Sequence, residues 1–303
     1  MAKKSPSNSI GLDIGGSKIA GAVFDEAGRG LAQIAQPMPD TYEKFMDICY
    51  ATVKQLEEKC GPAGSIGACA PYADENVCSN IPFLIGKNLI RDFEVVFRRP
   101  VPFSNDANCA ALAEAMEGAG KGQRAVFGLI VGTGIGGGFV VDGHVMTGAN
   151  GLSGEIGHLP LPYYEASDGE QVACGCGQKG CIEKLIAGSG LMRLYTSMTG
   201  KEAEGKTISD LARHHDKDAL RVLDSYYTTV AKAMVTVLHT FDPDIITVSG
   251  GLNHLPGLYE EVPKRWGRYA IAKKPNTKFV PAAFGAMAGL RGAAWLGRNL
   301  LSK

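Results

Sequence analysis

Two glycine clusters constrain this chain more than any other feature. Residues 11–18 read GLDIGGSK, and residues 126–141 read VFGLIVGTGIGGGFVV. In each, an apolar run meets glycines and β-type residues follow. A P-loop reads G-x-x-x-x-G-K-[ST]. Gly11 and Gly16 have that spacing, but Ser17 precedes Lys18, which reverses the required order. A P-loop also opens a helix, whose N-terminus helps to hold phosphate. Here IAGAVFDEAGRGLAQIAQP follows, with small and β-branched residues around a glycine-containing turn. That pattern reads as strand, turn, strand. The second cluster matches G-x-G-x-x-G at Gly132, Gly134 and Gly137. A dinucleotide-binding fold needs a helix next, then an acidic residue about 20 residues on. The continuation GGFVVDGHVMTG supplies strand and turn instead. Both clusters are therefore expected to be tight hairpins with exposed backbone N–H groups. Their likeness suggests two similar halves, each giving one phosphate-binding hairpin to a shared cleft.

A chain of 303 residues is long for one hydrophobic core and comfortable for two. Its 31 basic and 31 acidic residues balance, and no basic block stands out. The electrostatic footprint of a nucleic-acid binder is missing. No apolar run approaches the roughly 18 residues of a membrane span, and MAKKSPSNSI leads into no signal-peptide core. The expectation is a cytoplasmic protein with no membrane or nucleic-acid partner.

Three strands are expected from Ser9 to about Met38. Residues 40–60 have the apolar spacing of an amphipathic helix, with Asp40 or Thr41 as its cap. GSIGACAP reads as a buried strand and DANCAALAEAMEG as a small-residue helix. Two strands are expected in 125–150, a polar loop in 151–182, and a long helix within 219–241. PDIITVSGGL reads as a strand ending in glycines, and 285–297 as a closing helix. Strands alternating with helices argue for α/β with mixed sheets. The boundary between lobes is placed near 117: one lobe is 1–117, joined by the closing helix 286–303, and the other is 118–285.

Several constellations can carry chemistry. In SNDANC, Asn105 and Asp106 stand just before a helix. Asn and Asp are favoured helix caps, but a carboxylate there can also accept a proton from a substrate hydroxyl. GEIGH places Glu155 and His158 in a glycine-flanked turn. His158 is followed by CGCGQKGC, which holds Cys174, Cys176 and Cys181. Three thiols so close do not pair readily into disulfides in a reducing cytosol. With one histidine they form a closed tetrahedral zinc set, of structural type. The alternative is a glycine-rich turn with free thiols. Cys69 and Cys109 lie among small or apolar residues and read as buried free thiols.

Together DIGGSK, SNDANC, GTGIGGG, GEIGH, CGCGQKGCIE and DPDIITVSGG resemble the ROK family of bacterial sugar kinases and sugar-responsive repressors, in order and spacing from about residue 10 to 297. The resemblance implies the actin/hexokinase-like (ribonuclease H-like) α/β fold, two-lobed with a cleft between lobes. It implies ATP and Mg²⁺ as cofactors, with Asp13, Gly15, Gly16, Ser17 and Lys18 in the first phosphate hairpin. Gly132, Thr133, Gly134, Gly136 and Gly137 form the second, and Gly250 and Gly251 the adenosine-side turn. Asp106 matches the catalytic base. Asn80, Asn105, Glu155, His158 and Glu183 match residues around the sugar, and His158 also joins the three cysteines on structural Zn²⁺. The family's repressors carry an N-terminal helix-turn-helix, whereas little precedes the first strand here, so the kinase branch is implied. The implied reaction is phosphorylation of the 6-hydroxyl of N-acetyl-D-glucosamine, in a homodimer. Fructokinase, mannokinase or glucokinase activity, or a sugar-sensing regulator without catalysis, are the alternatives. One departure is Tyr72 in CAPYADENVCSN, where similar members have glycine ahead of a longer loop.

Overall fold

A computed structural model describes residues 8–70 and 81–301, apart from the side chain of Leu301. The chain runs through β1 (Ser9–Ile14), β2 (Lys18–Phe24), β3 (Gly30–Pro37), α1 (Tyr42–Cys60), β4 (Ser65–Cys69), α2 (Leu89–Phe97), β5 (Phe103–Ser104) and α3 (Asp106–Met116). It continues through β6 (Ala125–Val131), β7 (Ile135–Val141), β8 (His144–Val145), α4 (Ile182–Ile186), α5 (Gly188–Thr199), α6 (Gly205–Arg213) and α7 (Lys217–Thr240). It ends with β9 (Ile245–Ser249), α8 (Leu258–Tyr269), β10 (Lys278–Pro281) and α9 (Ala288–Leu301). Two compact units result. One holds the described residues up to Lys121, then Gly143–Ser153, then those from Ala286 on; the other holds Gly122–Asp142 and Gly154–Gly285.

The first unit is built on a mixed sheet of order β3-β2-β1-β4-β5. β1 is antiparallel to β2 and parallel to β4. β1 and β4 are almost wholly buried, whereas β3 alternates between half-buried and exposed, as an edge strand with one wet face does. One face is covered by α1, whose Phe45, Cys49, Val53 and Leu56 recur at helical spacing and are buried. Thr41 caps α1 by accepting from the Lys44 N–H at 3.4 Å.

The other face meets α9, which packs on β1, β4 and α3. This packing is backbone against backbone. A Cβ on Gly11 would overlap the Leu290 carbonyl, one on Gly67 the Ala293 carbonyl, and one on Gly292 the Cys109 carbonyl. The glycines in AGLRGAAWLG therefore serve approach rather than helix propensity, since glycine costs about 1 kcal/mol relative to alanine in a helix interior. Arginines fasten the helix. Arg291 donates to the Gly28 carbonyl at 2.7 Å and to Glu117 at 2.8 Å, and Arg298 donates to Ser9 Oγ at 2.7 Å.

The second unit has β10-β9-β6-β7 side by side, with β6 antiparallel to β7 and parallel to β9. Its core is organised by α7, which buries Val222, Tyr226, Val230, Met234 and Val237 along one side. Asp216 caps α7 through the Ala219 N–H at 2.8 Å. Lys232, fully buried on α7, donates to Asp168 at 2.7 Å and Glu165 at 3.0 Å. Burial alone would lower its pKa, but these two carboxylates outweigh burial and raise it. The pair ties the 3-10 turn Ala166–Asp168 to the core. Both units are thus α/β with mixed sheets, the class expected from the sequence. Among the described residues no helix is long and apolar enough to cross a membrane.

The close approach of α9 predicts a sharp asymmetry between glycines. Gly11→Ala should destabilise the protein by about 3 kcal/mol or more, because no side chain can move to make room and overpacking already costs 1–3 kcal/mol in softer sites. Gly30→Ala, whose Cβ would meet only Phe24 at 3.8 Å, should stay within about 0.5 kcal/mol of wild type, as surface changes do. Urea denaturation of the two variants measures the difference.

Candidate active site

In the first unit, β1 and β2 pair as far as Ile14 and Ile19, which leaves a short turn between them. The Gly15 N–H closes the turn on the Lys18 carbonyl at 3.0 Å, and Gly16, Ser17 and Lys18 are exposed. Asp13, just before the turn, pairs in register with Cys69 on β4. In-register neighbours point to the same face of a sheet, and the Cys69 thiol donates to Asp13 Oδ1 at 3.4 Å. The Asp13 pKa is raised, chiefly by burial. The thiol and Lys18 pull it down, while the nearby charge of Asp106 pushes it up.

Asn105 and Asp106 divide the work at the start of α3. Asn105 is the cap: its Oδ1 accepts from the Asn108 N–H at 2.7 Å. Asp106 is the first helical residue, is exposed, and accepts from the Ala107 N–H at 2.8 Å. Its carboxylate is therefore not the cap of α3, and one of its oxygens stays on the Ala107 N–H at the positive end of the helix. A half-buried carboxylate at Asp13, with the charge of Asp106 acting on it, fits an oxygen ligand for a divalent cation. Asn80 and Tyr72 lie outside the described residues.

In the second unit, β6 and β7 pair as far as Val131 and Ile135. Gly132, Thr133 and Gly134 make the turn, with the Gly132 N–H donating to the Gly134 carbonyl at 3.0 Å. The Gly188 N–H at the start of α5 donates to the Gly132 carbonyl at 2.8 Å, and the Leu252 N–H donates to the Val131 carbonyl at 3.0 Å. The second bond follows a turn at Gly250 with φ of 91°. Gly132, Gly134, Gly188, Gly250 and Gly251 therefore gather at the carboxyl ends of β6 and β9, where open α/β sheets hold ligands. Gly188 does not stand out in the sequence. Its only signal is the small-residue run AGSG ahead of a helix. Glu183 Oε2 accepts from the Ile135 N–H at 3.3 Å, so this carboxylate lies against the hairpin, and Lys184 pairs with it at 3.1 Å. Gly136 is half-buried on β7, while Gly137 is buried, and a Cβ there would overlap the Gly154 carbonyl. Packing accounts for glycine at 137.

Glu155 leads into the 3-10 turn Ile156–His158. His158 Nδ1 lies 3.6 Å from Cys174 Sγ, and Cys176 Sγ lies 3.6 Å from Cys181 Sγ. All four donor atoms lie within 4.8 Å of one another. Zinc bonds of 2.0–2.3 Å at tetrahedral angles imply donor separations of about 3.5–3.8 Å, so these residues fit that ion. Burial and the neighbouring thiols push the Cys181 thiol up to about 12, whereas the Gln178 backbone N–H pulls Cys176 below the ordinary thiol range. Zinc bound there would require the thiols to be deprotonated. The strand-like bridge between Pro160 and Cys181 and the Ile182 N–H bond to the Leu159 carbonyl at 2.8 Å hold the cluster to the segment after His158.

The ROK family model matches residues 9–299. An N-acetyl-D-glucosamine kinase of Photobacterium profundum is 34% identical over 297 residues, covering 94% of this chain and 98% of that protein. The N-acetylgalactosamine kinase AgaK of a Shewanella species is 35% identical, covering 96% of each. Among solved structures, a ROK family glucokinase from Streptomyces griseus in complex with glucose and AMPPNP is 30% identical with a TM-score of 0.75, covering 96% of this chain and 99% of that one. The α/β fold is thus the actin-like ATPase fold, and with a family match from Ser9 to Asn299 the chain belongs to the ROK family.

Proposed function

We propose that the protein is an ATP-dependent sugar kinase acting on the 6-hydroxyl of N-acetyl-D-glucosamine. The observation that carries this reading is Asp106. It is an exposed carboxylate, freed from capping by Asn105, beside the half-buried Asp13 at the foot of a glycine hairpin. Phosphoryl transfer asks a protein mainly for alignment and charge stabilisation. Backbone N–H groups of the turns at 15–18 and 132–134 hold the phosphates, and Gly250 and Gly251 receive the adenosine. Asp13 would hold Mg²⁺, which supplies charge neutralisation on the phosphate oxygens. Asp106 takes the proton from the attacking hydroxyl. Asn80, Asn105, Glu155, His158 and Glu183 orient the sugar, and zinc on His158, Cys174, Cys176 and Cys181 stiffens the segment that carries Glu155. Nucleotide use is supported by the AMPPNP complex of the Streptomyces griseus relative, and the sugar by the Photobacterium profundum relative.

A second substrate reading has its own support. The Shewanella relative is an N-acetylgalactosamine kinase at 35% identity. The two sugars share the 2-acetamido group and differ at C4, so one pocket can be built for either.

Three outcomes follow from this reading. Elemental analysis of the purified chain should find zinc in equal amount to protein, and Cys176→Ser should lose most of it while weakening sugar binding, because metal binding and local folding are coupled. Active protein without stoichiometric zinc contradicts this. Asp106→Asn keeps shape, and Asn105 keeps the helix cap, so the melting temperature should hold. Turnover should fall by about 10²–10⁴, the usual loss for a general base, with sugar Kd little changed. In a panel of hexoses with MgATP, N-acetylglucosamine should give the highest kcat/KM. A preference for N-acetylgalactosamine selects the second reading, and one for fructose, mannose or glucose overturns both.

A further inference from the structure

Cys69 sits where an ordinary core cysteine has no reason to be polar. It ends β4, is fully buried, and packs with Cys109 and Ala293. Its thiol donates to Asp13 Oδ1 at 3.4 Å. The other side of the same carboxylate meets α9. A Cβ on Gly289 would lie 3.2 Å from Asp13 Oδ2 and 3.3 Å from Cys69 Sγ. Gly289 belongs to the first turn of α9, whose positive end favours a negative carboxylate. Asp13 is thus bonded by a thiol on a neighbouring strand and has the start of a helix close on its other side.

We infer that Cys69 is a positioning residue, whose S–H fixes the rotamer of the Asp13 carboxylate so that it meets Mg²⁺–nucleotide in one geometry. The inference rests on the kinase reading above. Three features support it. The parallel register of β1 and β4 makes Asp13 and Cys69 direct neighbours, so the contact follows from the sheet and not from a loop. Cys69 is fully buried against Cys109 and Ala293, so solvent does not reach its S–H. A half-buried carboxylate next to a second carboxylate gains from any donor that fixes it in place.

The test compares Cys69→Ala with Cys69→Ser in the full chain. Serine keeps a small donor at the same place, and alanine removes it. Five quantities are measured: kcat, the sugar KM, the Mg²⁺ concentration for half-maximal rate, the calorimetric Kd for MgADP, and the melting temperature. Cys69→Ala should raise the Mg²⁺ requirement and the MgADP Kd by about two- to tenfold, the worth of one ordinary hydrogen bond, and lower kcat. The sugar KM should not move, and Cys69→Ser should restore most of the loss. A merely structural cysteine would change the melting temperature and the active fraction but neither metal nor nucleotide affinity. Wild-type-like Mg²⁺ dependence and MgADP affinity in Cys69→Ala overturn the inference, as does an alanine defect that serine leaves equally severe. If the wild-type chain neither binds MgADP nor phosphorylates any sugar, the kinase reading falls and takes this inference with it. Normal wild-type turnover with an unaffected alanine variant removes the inference alone.

Discussion

The contact on which the first unit depends is the seating of α9 on β1, β4 and α3. It is made by backbone atoms, because Gly11, Gly67 and Gly292 leave no Cβ between the elements. Close packing of this kind is unforgiving: interiors are as dense as organic crystals, and a misplaced methyl has nowhere to go. The same contact positions chemistry. Asp13 follows Gly11 by two residues on β1, and a Cβ on Gly289 at the start of α9 would lie against its carboxyl group. A shift in α9 would therefore move the walls around Asp13 as well as loosen the core.

The second unit solves a related problem with polar links. Its hairpin turn is held from behind by the Gly188 N–H on the Gly132 carbonyl and from beside by Glu183 on the Ile135 N–H. The cysteine cluster lies in a segment poor in regular structure. Two devices compensate. Lys232 anchors Glu165 and Asp168 to α7, and the three cysteines converge with His158 as four metal-type donors. Buried ion pairs gain little net stability, but losing one partner leaves an uncompensated charge. Lys232 thus serves to hold one arrangement of this segment more than to strengthen the fold.

Much of this was legible in the sequence, wherever the signal was local. The two hairpins followed from glycines between β-type runs, α1 from apolar spacing behind Asp40 or Thr41, and the metal-type cluster from cysteine spacing. What escaped depended on contacts distant in sequence or on backbone detail. The cap of α3 could have been Asn105 or Asp106, and only the backbone at Asn105 decides it. Gly137 matched a phosphate-loop pattern, yet its neighbour is the Gly154 carbonyl, which no local motif announces. Cys69 read as a buried thiol, and so it is. Its bond to Asp13 arises from the register of two strands that β2, β3 and α1 separate in sequence.

The central question is whether the carboxylate released by Asn105 takes a proton from a sugar hydroxyl while the hairpins hold ATP. The most direct measurement is ³¹P and ¹³C NMR of the full chain incubated with ATP, Mg²⁺ and N-acetylglucosamine. The expected result is ADP and the sugar 6-phosphate appearing in equal amounts, with neither formed by Asp106→Asn at a comparable rate. ATP hydrolysis without a sugar phosphate, or phosphate at another hydroxyl, would contradict it.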